Sequence, residues 1–133
     1  MSDLKNKSVI NRASADLLHK NYLYPSVVHC AYYSCIQLMK HILIITLKKT
    51  ELELASESRN SNEGSHELMI NLINGHLKDN KGDWKVFNTN INQLKKLRVK
   101  ADYENVSIDI SKSNDSMKLS DTILAHLRSN IKV

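Results

Sequence analysis

The sequence predicts an all-α protein, and three observations lead to that prediction. The 133 residues include only three glycines and one proline, so few residues interrupt helices. Leucine, lysine, isoleucine, asparagine and serine dominate, and the apolar residues recur at three- and four-residue spacing. A chain of this length forms one domain, residues 1–133, and buries a core without disulfides or metal. We therefore expect an up-and-down bundle of four to five helices.

The first helix is expected from about Ser8 to Lys20, with Ser8 as its N-cap. Its apolar residues recur at helical spacing and should face the core. The residues expected to face inward are Ile10, Ala13, Leu17 and Leu18.

The second helix is expected from about Pro25 to Lys48 and would be the longest element. Pro25 suits the first helical turn because its missing N–H would have no partner there. Apolar residues cover more than one stripe of this helix, so it lies either at the centre of the bundle or between two copies of the chain. Polar side chains interrupt the apolar run from 27 to 47, which argues against a membrane span. These are His29, Gln37, Lys40 and His41.

Residues from about 50 to 64 are rich in Glu, Ser and Asn and lack a sustained apolar period. We expect a mobile loop there. Ser65 can then cap a third helix, from about His66 to Leu77.

The fourth helix, from about Trp84 to Tyr103, should begin after the capping residue Asp83. The last helix should begin at Ser111 or Ser113 and reach about Asn130.

Charge and cysteine usage narrow the classes of partner and compartment. The net charge of +5 favours anionic partners such as RNA, DNA or a nucleotide.

Cys30 and Cys35 lie about 140° apart around one helix, which is poor geometry for a disulfide and indicates reduced thiols in the cytoplasm. The polar N-terminus predicts no secretory signal. The histidines other than His66 show no metal-ligand spacing, so we expect no metal and no cofactor.

The end of the fourth helix is the most informative stretch of the sequence. Lys95, Arg98 and Asp102 fall on one helical face, and Tyr103 follows directly. An arginine can bind a phosphate, and a carboxylate and a phenol beside it can transfer protons. Arg98 and Asp102 are also an i, i+4 pair, which usually amounts to a weak surface ion pair, so both interpretations stay open. Lys96 and Lys100 extend the basic character of this helix.

Two aromatic residues and one histidine elsewhere are further candidates. Tyr32 is expected to pack in the core, whereas Tyr33 lies on a polar flank where it could stack on a nucleobase. His66 stands at a helix start, where it either caps and packs or supplies an imidazole to the Arg98 region.

The order of these signals resembles the HEPN family, the higher eukaryotes and prokaryotes nucleotide-binding domain. The resemblance extends over about residues 8–131. Its motifs are Leu17-Leu18 with Tyr22, then VHCAYYSC at 28–35, GSH at 64–66 and LRVKADY at 97–103. It implies a helical bundle that dimerises with a cleft at the interface. Many members look like metal-independent endoribonucleases of toxin–antitoxin or phage-defence systems, often encoded beside a minimal nucleotidyltransferase.

The family site is an arginine followed four to six residues later by a histidine. Arg98 matches the arginine, but Tyr103 stands at the fifth residue after it, and no histidine lies between residues 99 and 125. Histidine titrates near neutrality, whereas an unperturbed tyrosine, with a pKa of about 10, is a poor base.

Two functional hypotheses follow for a cytoplasmic homodimer that interacts with RNA or a nucleotide. The enzymatic hypothesis is metal-independent RNA cleavage, in which Arg98 stabilises the transition state and Asp102, Tyr103 and His66 share the proton transfers. Nucleic acid would then contact Lys95, Lys96, Lys100 and Tyr33. The alternative is a non-catalytic helical binding module, or a homodimeric interaction protein that partners a nucleotidyltransferase.

Overall fold

A computed structural model describes residues 3–60 and 64–133, and it confirms the all-α prediction. The described residues form six α-helices and no strand. The helices are α1 (Asp3–Lys20), α2 (Tyr24–His41), α3 (Glu51–Asn60), α4 (Ser65–Asp79), α5 (Trp84–Tyr103) and α6 (Ile110–Asn130). A π-helical turn, Ile42–Thr46, extends α2 at its C-terminus.

Helix α2 is the centre of the bundle and packs against α1, α4, α5 and α6. Its broad apolar surface, including Tyr32, Leu38 and Met39, is fully buried by these helices of the same chain. Of the two sequence-based alternatives for α2, the central position is therefore the one observed. No single helix in the described ranges has the length and apolar character needed to cross a membrane, and Tyr24–Thr46 with Glu51–Asn60 meets that test only as a pair bent by 113°.

The predicted orientation of α1 is wrong. The side chains of Ile10, Ala13 and Leu17 are exposed, and Leu18 alone of the predicted inward residues packs partly against the bundle. The helix buries Ser8 and Ala15 instead. These residues are small, and the Ser8 hydroxyl donates a 2.6 Å hydrogen bond to the Ser34 carbonyl of α2, so α1 and α2 approach closely. Ser8 is consequently an interior residue of α1 and not its N-cap.

The prediction of a mobile loop over about 50–64 is also wrong where the structure describes it. Residues 51–60 form α3, and the Thr50 hydroxyl accepts a hydrogen bond from the Glu53 amide at 3.0 Å. Acidic residues in the first turn suit the positive end of the helix dipole. Leu54 is the one buried residue of α3, which explains why no apolar period is visible in the sequence. Residues 61–63 of the predicted loop lie outside the described residues.

The helix starts follow the sequence in part. Asp83 caps α5 as predicted, because its carboxylate accepts a hydrogen bond from the Val86 amide. The cap of α6 is Asp109, which binds the Lys112 amide, and neither Ser111 nor Ser113 has that role. Gly64 precedes the first residue of α4 without a side-chain cap.

Four helix ends meet at one end of the bundle. The His19 ring of α1 contacts the Ser113 hydroxyl of α6 at 2.8 Å. The His29 ring of α2 contacts the Asp102 carboxylate of α5 at the same distance. The C-terminal ends of α1 and α5 and the N-terminal ends of α2 and α6 therefore lie together, and this arrangement brings the candidate site residues into contact.

Substitutions on α1 and α2 test the orientation of α1. Leu17 is 64% exposed, so Leu17→Gln should change the free energy of unfolding by no more than about 0.5 kcal/mol. Leu38 is fully buried, so Leu38→Ala should lower it by about 2–5 kcal/mol. Urea denaturation followed by circular dichroism measures both. A loss of several kcal/mol at Leu17 would instead support the inward orientation that the sequence pattern predicts.

Candidate functional site

Arg98 lies inside the bundle, on the inner face of α5. It follows Ile91 and Leu94 at helical spacing, so the periodicity that buries those two residues also buries the arginine. The residue is only 8% exposed. Its guanidinium carbon lies 4.8 Å from the centroid of the Tyr32 ring and 5.7 Å from that of Tyr33. Helix α2 therefore contributes two aromatic rings to one buried cation.

The third ring over the guanidinium comes from Tyr103, at the end of α5. The helix ends at this residue, which allows its side chain to fold back to 5.5 Å from the Arg98 guanidinium. An Arg98 terminal nitrogen donates a long, 3.4 Å hydrogen bond to the Tyr103 hydroxyl. Tyr103 itself is 74% exposed, so its ring is the outer cover of the guanidinium.

The charge of Arg98 survives burial because its neighbours favour it. Burial opposes the charged form, but the Tyr33 and Tyr32 hydroxyls favour it, and the pKa of Arg98 is raised above its ordinary value. A nearby carboxylate, Asp102, lies 3.7 Å from a terminal nitrogen. The buried Nε has no hydrogen-bond partner among the described residues. The guanidinium thus stays charged with donor capacity to spare.

Asp102 connects Arg98 to His29. The same carboxylate oxygen that faces Arg98 lies 2.8 Å from His29 Nδ1. An ionised carboxylate can only accept, so Nδ1 carries the proton, and Nε2 of the neutral imidazole keeps its lone pair. The His29 side chain is 49% exposed, and its ring lies 4.7 Å from that of Tyr33. The imidazole therefore has an orienting partner on one nitrogen and access to solvent.

His66, in the first turn of α4, completes the group. Its Nδ1 lies 2.9 Å from the Tyr32 hydroxyl, and its ring centroid lies 5.7 Å from that of Tyr33. Burial and the positive charges of Arg98 and Lys95 lower the pKa of His66 from its ordinary value. Neutral imidazole is thus the dominant form at pH 7.

We name these seven side chains the Arg98 cluster: His29, Tyr32, Tyr33, His66, Arg98, Asp102 and Tyr103. The structure brings together every residue for which the sequence predicted a catalytic role, and Tyr33 with them. His29 was missed, because its partner Asp102 lies 73 residues away and only the fold reveals the pair. The available signal was its position one helical turn before Tyr33, within the same segment of α2.

The predicted nucleic-acid-binding lysines do not join the cluster as free charges. Lys95 lies beside it, but its amine donates a 2.7 Å hydrogen bond to the Glu67 carboxylate. Lys96 and Lys100 lie on the outer face of α5, where they line an open groove of about 480 Å³ against Lys118 of α6. The basic groove and the Arg98 cluster are therefore two separate surfaces of α5.

Within residues 3–60 and 64–133, no three His, Cys, Asp or Glu side chains are grouped so that they could hold a metal ion. Comparisons of the chain with protein-family models, with curated proteins and with solved structures found no match.

The Arg98 cluster predicts a measurable electrostatic effect on His66. Arg98→Gln removes the larger of the two positive charges that lower the pKa of His66, so this pKa should rise towards its ordinary value, while burial continues to hold it lower. Lys95→Gln should raise it by less, because Lys95 is the weaker cause. Titration of the His66 ring protons by NMR measures both variants. An unchanged value in Arg98→Gln would show that the guanidinium does not act on this imidazole.

Proposed function

We propose that the chain is a HEPN-like protein that binds RNA and cleaves it without a metal, in a toxin–antitoxin or phage-defence setting. The observation that supports this proposal is the position of two imidazoles around one buried guanidinium. His29 is held by Asp102, and His66 is held by Tyr32, so the cluster contains the imidazole that the sequence lacks after Arg98.

Metal-free cleavage of RNA needs a base for the ribose 2′-hydroxyl, a proton donor for the leaving 5′-oxygen, and a cation for the phosphorane charge. His29 is the base, since its Nε2 is free when Asp102 holds Nδ1–H. The attacking 2′-oxygen displaces the 5′-oxygen and leaves a 2′,3′-cyclic phosphate. Arg98 stabilises the charge on the phosphorane. Asp102, expected from the sequence to transfer protons, orients His29 instead.

His66 donates a hydrogen bond to the leaving 5′-oxygen in this proposal, and water supplies the proton to that oxygen, because a neutral imidazole is too weak an acid to release its own. Burial raises the pKa of Tyr32 to about 12, so its hydroxyl keeps a proton and can donate it in a hydrogen bond to His66 Nδ1. The neutral imidazole then carries its own proton on Nε2. His29 and His66 thus present opposite hydrogen-bonding capacities: His29 accepts the proton of the 2′-hydroxyl, and His66 donates a hydrogen bond to the leaving oxygen.

Access of a phosphate to Arg98 depends on Tyr103. The exposed Tyr103 ring covers the guanidinium through one long hydrogen bond, which is a weak contact. Rotation of this side chain opens the guanidinium to solvent and frees the ring to stack on a nucleobase. Tyr103 is therefore a cover and a binding surface in this mechanism, and not the base.

The groove on the other side of α5 suits the backbone of the same RNA. Lys96, Lys100 and Lys118 line it, and Asp115 is the acidic residue in its lining. Three ammonium groups around one groove attract a polyanion, and bound phosphates release counterions on association.

Homodimerisation and a cytoplasmic location are part of the same proposal. The α1–α2 corner and the α5–α6 connection expose apolar residues at the bundle end that holds the cluster, and such residues suit a contact between proteins. These residues are Tyr22, Leu23, Val106 and Ile110. A second copy or a nucleotidyltransferase partner would contact this end. The free thiols of Cys30 and Cys35 agree with a reducing compartment.

Cleavage of labelled single-stranded RNA and tRNA in EDTA tests the enzymatic proposal. The wild-type protein should give discrete products ending in 2′,3′-cyclic phosphate. His29→Gln and His66→Gln should each lower the rate by about 10²-fold or more, because the first removes the base and the second removes the hydrogen-bond donor to the leaving oxygen. His76→Gln is the matched control, since His76 lies on α4 and its ring faces Asn80 instead of the cluster. Arg98→Lys keeps a charge but loses the planar fork, and it should also be impaired.

Other outcomes assign other functions. RNA that stays intact but shifts in a salt-dependent binding assay would indicate the non-catalytic binding module. RNA that neither shifts nor breaks would leave the protein-partner hypothesis. Equal rates in wild type, His29→Gln and His66→Gln would contradict the roles assigned to the two imidazoles.

The salt dependence of RNA affinity tests whether RNA binds in the basic groove. Lys96→Ala and Lys100→Ala should each reduce the slope of log affinity against log salt concentration by about 0.7 for single-stranded RNA. Lys85→Ala, near the start of α5 and outside this groove, should leave the slope unchanged. Filter binding over a series of salt concentrations gives these slopes. If Lys96→Ala and Lys100→Ala have the same slope as Lys85→Ala, RNA does not bind in the basic groove.

A further inference from the structure

A second cavity adjoins the Arg98 cluster on the side of α3. It has a volume of about 280 Å³ and lies between α2, α3 and α4. Its walls are mainly apolar and include Ile36, Leu54, Ala55 and Met69. Pockets for drug-sized ligands begin at about 300 Å³, so this cavity suits one flat heterocycle and little more.

His66 belongs to both the cavity and the cluster. It lines the cavity, while its Nδ1 contacts the Tyr32 hydroxyl and its ring centroid lies 5.6 Å from that of Tyr32. The Tyr32 ring lies in turn against the Arg98 guanidinium. The cavity is therefore separated from the buried cation by two rings of the same cluster, which lie in tilted contact.

The polar groups of the cavity are few and adaptable. Lys40 and Glu51 form an exposed ion pair of 3.5 Å, which is worth little in water and can be exchanged for contacts with a ligand. Lys40 then offers a donor and Glu51 an acceptor. Ser65 adds a hydroxyl to the lining. An apolar slot with donors and acceptors at its edge is complementary to a nucleobase, whose faces are apolar and whose edge forms hydrogen bonds.

We propose that this cavity binds a nucleobase of the RNA whose phosphate lies at Arg98. The inference rests on the proposed function and adds base preference to it. The base next to the scissile phosphate enters the slot between α3 and α4, with His66 between base and phosphate. Edge contacts to Lys40, Glu51 and Ser65 distinguish one base from another.

Nucleosides test the cavity without any need for RNA cleavage. Adenosine, guanosine, cytidine and uridine are titrated separately, and the methyl signal of Met69, which lines the cavity, is followed by NMR. At least one nucleoside should shift this signal. Ala55→Phe fills the slot and should weaken that binding by at least about tenfold. Leu52→Phe is the matched control, because it adds the same ring to the exposed face of α3.

The outcomes separate this inference from the proposed function. Nucleosides carry no phosphate, so Arg98→Gln should retain their binding even where it abolishes RNA cleavage. Nucleoside binding by a protein that leaves RNA intact would support the base pocket and overturn the ribonuclease. The pocket would be overturned by a Met69 signal that no nucleoside shifts at millimolar concentration. Unchanged affinity in Ala55→Phe would overturn it equally.

Discussion

The burial of one guanidinium is the constraint on which the candidate site depends. A charged group inside a helical bundle is costly unless its surroundings favour the charge. Arg98 meets this condition with two tyrosine rings from α2, a third from the end of α5, and the carboxylate of Asp102. These contacts require α2 and α5 to pack with their residues in one fixed register. The packing register of α2 and α5 in the core therefore also determines the geometry of the site.

The imidazoles of the cluster follow from that register. Because Tyr32 and Tyr33 face Arg98, the residue one helical turn earlier, His29, faces the end of α5 and meets Asp102. Because Tyr32 is buried with its hydroxyl directed towards α4, His66 becomes its hydrogen-bond partner. Burial is the main cause of the lowered pKa of His66, and the positive charge of Arg98 lowers it further. Arg98, the group that we propose binds phosphate, therefore also contributes to the neutral state of His66.

The sequence was sufficient for features set by local rules. Helical spacing and few breakers predicted the all-α class, and the face shared by Arg98 and Asp102 followed from the periodicity of α5. The sequence did not predict the features that depend on tertiary packing. On α1, Ser8 and Ala15 are buried and a more apolar stripe is exposed, because small residues permit a close approach of helices. Helix α3 was not predicted because it has a cap at Thr50 and a single buried leucine, which produce no apolar periodicity in the sequence.

The position of Tyr103 explains how one arginine can serve both stability and function. A guanidinium fixed only by internal contacts would be inaccessible, and one fixed only at the surface would lack the desolvated environment that strengthens its interaction with a phosphate. Arg98 has its inner face against α2 and its outer face against an exposed ring at a helix end. Helix ends leave side chains more freedom than helix interiors, so the outer cover can move while α2 and α5 stay packed. An exchangeable cover over a rigidly held cation fits the RNA-cleaving site that we propose, because RNA can displace the cover while the helices stay packed.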